Sequence, residues 1–316
     1  MKAIILSAGE GSRMRPLTLT KPKTMLPVAG KPIIQYNIES LRDNGIKDIL
    51  LIVRYKEEMV RDYFGDGSDF GVNITYKTQK DFLGTANAIS YGKDFINDSL
   101  IVLNGDIILD NDVINEFIHE YENSNPDTLM LLTEVENPSA FGVVEIEDGN
   151  IKSIVEKPKL EEAPSNLVNA GIYIFNRDIF DKIEKTEISE RGEYEITDSV
   201  SLQIADGKKV IGHKTNKDWI DVGRPWELIE VNEELIGKLK TEIQLTRINI
   251  RDLHCFFICL SSLESYISKS LYASLYFFTL SRSLSVTSLS LYRSILWVRS
   301  AILTALAMLL SLRAFT

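Results

Sequence analysis

Short apolar runs alternate with longer amphipathic stretches along the first three quarters of the chain. Runs at 2–7, 49–53, 72–77, 100–103, 129–135, 142–146, 151–156, 168–175 and 209–213 have the β-branched and aromatic content of strands. Between them, apolar residues recur at helical spacing over 33–44, 56–64, 85–93, 112–122, 177–185, 193–206 and 225–240. Turn signals at Asp43-Asn44-Gly45 and Asp66-Gly67-Ser68 separate these elements, and Glu147-Asp148-Gly149-Asn150 joins two strands as a hairpin. Strand and helix in alternation predict an α/β fold, with a mixed, mostly parallel central sheet and helices on both faces. Ligands of such sheets collect beyond the carboxyl ends of the strands. The loop after the first strand, Gln79 and Asp106 all fall there.

This pattern stops near Gln244. Residues 1–244 hold 28 Lys and Arg against 43 Asp and Glu, a net charge of −15. Residues 245–316 hold seven basic and two acidic groups, a net of +5, and contain neither Gly nor Pro. Ser, Leu, Tyr and Phe dominate there, Arg displaces Lys, and both cysteines, Cys255 and Cys259, lie in this part. The composition therefore predicts one domain at 1–244 and an atypical Ser/Leu-rich apolar tail at 245–316. The overall charge of −10 argues against general nucleic-acid or anionic-membrane binding, so a basic site must be local. Two cysteines make no disulfide framework, and charges resume at Glu10 too early for a secretory signal. The expectation is a cytoplasmic protein.

Local basic chemistry sits at the start of the chain. Residues 6–28 read Leu-Ser-Ala-Gly-Glu-Gly-Ser-Arg-Met-Arg-Pro-Leu-Thr-Leu-Thr-Lys-Pro-Lys-Thr-Met-Leu-Pro-Val. Gly9 and Gly11 let backbone amides approach an anion, because no Cβ stands in the way. Arg13, Arg15, Lys21 and Lys23 place four cations within eleven residues. A strand feeding such a loop is a place to hold a polyphosphate. The spacing matches neither Gly-x-x-x-x-Gly-Lys-Ser/Thr nor Gly-x-Gly-x-x-Gly, since position 14 is Met, and the glycines alone equally suit a tight turn. Val102-Leu103-Asn104-Gly105-Asp106 sets a carboxylate just past an apolar strand, and Trp219-Ile220-Asp221-Val222-Gly223 repeats the arrangement. Such a pair suits Mg²⁺, which takes a few carboxylates plus phosphate oxygens. Each Asp alone equally suits a turn or a helix cap.

Taken whole, the first segment resembles the signature of the sugar-1-phosphate nucleotidylyltransferases, Gly-x-Gly-Thr-Arg-Leu-Arg-Pro-Leu-Thr followed by Pro-Lys-Pro. Ser12 stands for Thr, Met14 for Leu and Thr24 for the second Pro, while Arg13 and Lys23 are retained. Further segments match in order at Thr78–Ala86, the two Asp motifs, Phe141-Gly142-Val143-Val144, Glu156-Lys157-Pro158 and Asn169-Ala170-Gly171-Ile172-Tyr173. The resemblance implies a Rossmann-like nucleotidyltransferase domain with Arg13 and Lys23 as catalytic cations. It implies Leu6, Ala8, Gly9, Gly11, Gln79, Gly84 and Thr85 around the nucleotide, and Gly142, Glu156, Lys157 and Asn169 around the sugar phosphate. Asp106 and Asp221 become the ligands of Mg²⁺. Gln79 adds a reason of its own: an amide accepts from N3–H of uracil or thymine while donating to a neighbouring carbonyl, whereas guanine's two donors suit a carboxylate better. Alone, Gln79 equally reads as a surface strand residue, Gly84 as a helix-entry turn, and Glu156-Lys157 as a solvated pair.

The implied reaction transfers a nucleotidyl group from a pyrimidine nucleoside triphosphate to a sugar 1-phosphate, releasing pyrophosphate. UTP with N-acetylglucosamine 1-phosphate ranks first, and dTTP or UTP with glucose 1-phosphate second. A non-catalytic sugar-nucleotide sensor is disfavoured, because the loop cations and both carboxylates are kept. Ile188-Ser189-Glu190-Arg191-Gly192-Glu193 and Asp221-Val222-Gly223-Arg224-Pro225-Trp226 resemble the archaeal-type bifunctional branch. That branch continues into a β-helix of hexapeptide repeats that acetylates glucosamine 1-phosphate. No Gly-rich, Ile/Val-stepped repeat follows Gln244, yet Ser recurs every six residues at 262, 268 and 274 and at 288, 294 and 300. A reading-frame slip near 244 accounts for both features, since a DNA-level period survives translation in the wrong frame. No acetyl transfer is then expected. The apolar run at 295–312 is broken by Arg299 and falls short of the ~20 residues a membrane span needs, which disfavours membrane association.

Overall fold

The first strand, β1 (Lys2–Ser7), is apolar on both faces, and Ala3, Ile4 and Ile5 are fully buried. The computed structural model describes residues 1–96 and 98–245, with side chains to residue 238 at the C-terminal end. The expectations for the tail (frame slip, serine spacing, apolar run, cysteine pair) lie outside the described residues. After β1 a long loop carries the paired strands β2 (Pro27–Val28) and β3 (Lys31–Pro32) and leads into α1 (Ile33–Asp43). The chain then alternates through β4 (Asp48–Val53), α2 (Glu57–Phe64), β5 (Asn73–Thr78), α3 (Thr85–Ser90) and β6 (Ser99–Asn104). Next come β7 (Ile107–Leu109), α4 (Asn111–Ser124), β8 (Thr128–Glu134) and the hairpin of β9 (Gly142–Glu147) with β10 (Asn150–Glu156). The last elements are β11 (Leu167–Asn176), α5 (Ile179–Ile183), α6 (Ile196–Ala205), β12 (Val210–Lys214), β13 (Trp219–Asp221) and α7 (Glu227–Leu245).

Among the described residues, nine strands form one sheet in the order β5-β4-β1-β6-β11-β8-β12-β10-β9. Seven strands run in one direction with β11 and β10 set against them, so the sheet is mixed. Four of its pairings are parallel and five antiparallel, fewer parallel ones than the alternation of strand and helix predicts, because β11 and β10 are inserted between strands of the other direction. Two-residue alternation sends β1 side chains to opposite cores. Ala3 and Ile5 pack with Ile34, Ile38, Phe64 and Phe117 on one face. Ile4 packs with Ile89, Phe180 and Val200 on the other. Each fully buried Ile or Phe contributes about 1.5–3 kcal/mol. A third cluster, Met14, Leu26, Val28, Ile33, Ile108, Val222 and Val231, ties α7 to the long loop and to the β7–β13 ribbon.

Each of the nine predicted strands and seven predicted helices has its counterpart, with ends shifted by tertiary contacts. Helix α3 stops at Ser90 rather than 93: Gly92 N donates to Ile89 O at 2.8 Å and Lys93 N to Ser90 O at 3.2 Å, turn bonds three residues back that replace the helical ladder. Helix α6 begins at Ile196 rather than 193: Tyr194 N donates to Leu83 O and Ala86 N to Tyr194 O, which holds 193–194 extended. The two-residue strands β2 and β3 and the three-residue β7 and β13 are too short for periodicity to register.

Candidate active site

The loop after β1 folds back on itself through short-range bonds. Gly11 adopts a left-handed φ of 61°, and its carbonyl accepts from Met14 N at 2.9 Å and from Thr18 Oγ1 at 2.9 Å. A Cβ at Gly11 would lie 2.8 Å from Lys23 Cβ. Gly11 is therefore required by backbone conformation and by Lys23 at its back, whereas Gly9 faces open space. Ser7 and Thr24 share a 2.6 Å hydroxyl bond that pins Lys23 to the end of β1. Gly105 packs on Leu6 O, to which its own N–H donates at 2.8 Å, so its missing side chain serves the backbone contact.

Asp106 and Asp221 are 115 residues apart in sequence and meet through the β7–β13 ribbon. Asp221 pairs with Ile107 in that ribbon, and Val222 N donates to Asp106 O at 3.2 Å. Lys23, only 8% exposed, donates from Nζ to Asp106 Oδ2 at 2.7 Å and lies 3.8 Å from Asp221 Oδ1. Burial, and then the neighbouring Asp106 charge, push the Asp221 carboxyl up to about 6, against the opposing pull of Lys23 and Arg13. Two half-buried carboxylates that repel each other suit a hard divalent cation. Among the described residues no group of three or more His, Cys, Asp or Glu could hold a metal, so such a cation would complete its shell with water and phosphate oxygens. Glu227 Oε2 accepts from Gly223 N at 2.6 Å and Arg224 N at 2.8 Å, fixing the turn that follows Asp221.

Two adjoining cavities, of ≈ 810 Å³ and ≈ 200 Å³, open on this centre. The larger is lined by Leu6, Ala8, Gly9, Gly11, Arg13, Lys23, Gln79, Gly84, Thr85, Asp106 and Lys157. The smaller takes in Arg13, Thr85, Asp106, Gly142, Glu156, Lys157, Asn169 and Asp221. Every residue that the resemblance assigns to the site thus lines one cavity or both, whereas Arg15 and Lys21 of the basic loop line neither. Gln79 is 1% exposed rather than a surface residue, and its Nε2 donates to Asn87 Oδ1 at 2.8 Å and to Gly84 O at 3.3 Å. Both amide hydrogens being engaged, Oε1 is the atom left to accept. Gly84 adopts φ 92°, and an added Cβ would stand 2.6 Å from Tyr194 O. Asn169 donates from Nδ2 to the Tyr173 hydroxyl and accepts from Gly171 N at 2.9 Å, so its amide also shapes the bulge of β11. Lys157 follows β10 at a left-handed φ of 47°, its N–H donating to Phe141 O at 2.9 Å.

Sequence reading does not single out several lining groups. Arg191 bonds Glu195 at 2.7 Å and lies 3.6 Å from Glu156, and burial followed by the Glu156 charge pushes the Glu195 carboxyl up. Trp219 donates to Ala170 O at 2.8 Å and meets Phe141 edge-on at 5.6 Å, forming an aromatic wall of the smaller cavity. Arg54 and Phe82 line the larger one. Trp219, Arg191 and Phe82 lie inside segments that match the family pattern, though none is given a role there, and Arg54 lies outside any of them.

The nucleotidyl transferase family model matches residues 2–238. Bifunctional protein GlmU of Methanocaldococcus jannaschii is 46% identical over 245 residues, covering 77% of this chain and 56% of the relative. The low-salt glycan biosynthesis nucleotidyltransferase Agl11 of Haloferax volcanii is 41% identical over 236 residues, covering 74% and 65%. The chain thus spans between half and two thirds of the length of these curated relatives. A crystal structure of UDP-glucose pyrophosphorylase complexed with UDP-glucose matches with a TM-score of 0.68 at 29% identity, over 75% of this chain and 98% of that one. No helix among the described residues is long and apolar enough to cross a membrane. By sequence over three quarters of its length, and by the sheet that carries the cleft, the chain belongs to the nucleotidyl transferase family.

Proposed function

We propose that this chain transfers a nucleotidyl group from a pyrimidine nucleoside triphosphate, UTP first, to a sugar 1-phosphate, N-acetylglucosamine 1-phosphate first, with release of pyrophosphate. One observation carries the reading: Arg13 and Lys23 of the loop after β1, Asp106 and Asp221 converge on one cleft from three separate chain segments. The nucleotide occupies the larger cavity, with its base at Gln79, whose free Oε1 suits a base offering a single N–H. The sugar occupies the smaller one, between Glu156, Asn169 and the Trp219–Phe141 wall.

A phosphate monoester is already ionised near neutral pH, its second pKa being about 6, so the attacking oxygen needs no general base. The residues then act by positioning and by charge. Lys157 steers the sugar phosphate, Arg13 takes charge on the triphosphate, and Lys23 meets the α-phosphate. Asp106 and Asp221 would hold Mg²⁺, which supplies neutralisation between the approaching anions when bound. Arg191 holds Glu156, Glu193 and Glu195 in check, keeping these three carboxylates of the smaller cavity from repelling an anionic substrate.

The test is a pyrophosphate-release assay across four triphosphates and several sugar 1-phosphates with Mg²⁺. Turnover led by UTP supports the reading, and no turnover with any pair overturns it in favour of a sugar-nucleotide sensor. Glucose 1-phosphate is the second acceptor, favoured by the structural likeness to a UDP-glucose pyrophosphorylase. The activity belongs to residues 1–244, and acetyl transfer is not expected.

A further inference from the structure

Between the phosphate loop and Gln79 stands a cluster that the transfer itself does not use. Register sets its place: Ser7 pairs with Val53 and Val53 with Thr78. Arg54 therefore leaves β4 with the loop after β1 on one side and Gln79 on the other. Its Nη1 lies 3.6 Å from Glu10 Oε1, and its guanidinium sits 5.7 Å over the ring of Phe82. Arg15 Nη2 lies 3.7 Å from Glu10 Oε2. All three members, Glu10, Arg54 and Phe82, line the larger cavity, and Phe82 is 49% exposed.

A carboxylate beside a triphosphate site repels the phosphates unless cations compensate it. Two arginines neutralise Glu10, yet at these distances neither makes a hydrogen bond to it, so its acceptor positions stay unfilled. A nucleotide runs from base through ribose to phosphate. With the base at Gln79 and the phosphates at Arg13 and Lys23, the ribose would lie between them in the cavity that Glu10 also lines. Vicinal hydroxyls are the donors a carboxylate accepts, and the Phe82 ring with its guanidinium offers a stacking face to the base.

We propose that Glu10, held by Arg54 against Phe82, reads the ribose and makes this chain select ribonucleotides over 2′-deoxyribonucleotides. The inference rests on the nucleotide site proposed above and goes beyond it. Isothermal titration of the full chain with UTP and with 2′-deoxyuridine triphosphate tests it. The unaltered protein binds UTP about tenfold more tightly, the worth of one hydrogen bond to a charged group. Glu10→Ala brings the ratio near one, while Phe82→Ala weakens both ligands alike and keeps the ratio. A ratio unchanged in Glu10→Ala, or near one in the unaltered protein, overturns the proposal and leaves the nucleotide site standing. Failure of both triphosphates to bind the unaltered protein overturns the proposal and the nucleotide site alike.

Discussion

Replacing Lys23 with Met tests the centre of the site most directly. The substitution keeps the apolar stem that packs behind Gly11 and removes the ammonium between Asp106 and Asp221. Stranding a fully buried charge costs about 3–5 kcal/mol, but these carboxylates keep 32% and 26% of their side-chain exposure. Solvent screening brings the loss to about 1–2 kcal/mol. For a domain of this size that lowers Tm by about 2–8 °C. The effect on turnover is larger, a fall of about 10²–10³ in kcat, because a preorganised charge aimed at the reacting phosphate is lost. Mg²⁺ separates the two effects. At a hundredfold excess over its Kd a bound ion returns about 2.7 kcal/mol, so the variant regains its Tm with Mg²⁺ and not its turnover. Thermal unfolding with and without Mg²⁺, beside pyrophosphate release, reads both. Turnover within about tenfold of the parent, a loss far below that of one oxyanion donor, would refute the assignment.

Gly11→Ala forces an L side chain into a left-handed φ and onto Lys23, so we expect about 1–2 kcal/mol of destabilisation together with reduced turnover, read by thermal unfolding and kinetics. An unchanged Tm would contradict the packing described for the loop. Gln79→Glu supplies a carboxylate for guanine's two donors, and the expected outcome is at least a tenfold rise in KM for UTP with a gain for GTP in the same assay. Glu195 bears on pH dependence. Its carboxyl is raised in the folded protein by burial and by Glu156, so the folded state holds that proton more tightly than the unfolded chain does. This group favours folding at low pH, and its contribution declines as pH rises above the ordinary value of 4.5. Glu195→Gln should flatten that decline in a Tm series from acid to neutral pH; parallel curves would count against it.

Much of the molecule is legible along the chain. Buried strands such as β1, β4 and β6 announce themselves as apolar runs, and helices of eight residues or more repeat their apolar face often enough to register. The hairpin at Asp148-Gly149 is equally clear, since both residues take the positive φ that this turn requires. The residues lining the cleft were legible as motifs, because each keeps a short local pattern of Gly, Asp or Lys beside an apolar run.

What made those motifs into one site is not local. The β7–β13 ribbon that joins Asp106 to Asp221 is three residues a strand, below any periodicity, and exists because Ile108 and Val222 share a core with α7. Gly11 looked like a ligand-facing glycine and turned out to make room for Lys23, a contact set by the return of the loop. Gln79 could have been a surface residue until β5 and α3 buried it. Arg191 and Phe82 lie in recognisable segments that give no sign of what each side chain faces, and Arg54 reaches the cleft from a loop with no pattern of its own. Sequence by itself determined the alternation of strands and helices and the stock of charged groups, because both are encoded by neighbours a few residues apart. Tertiary structure decided which charges face one another and how far each is shielded from water. Those depend on distance through space, which the order of residues along a chain does not carry.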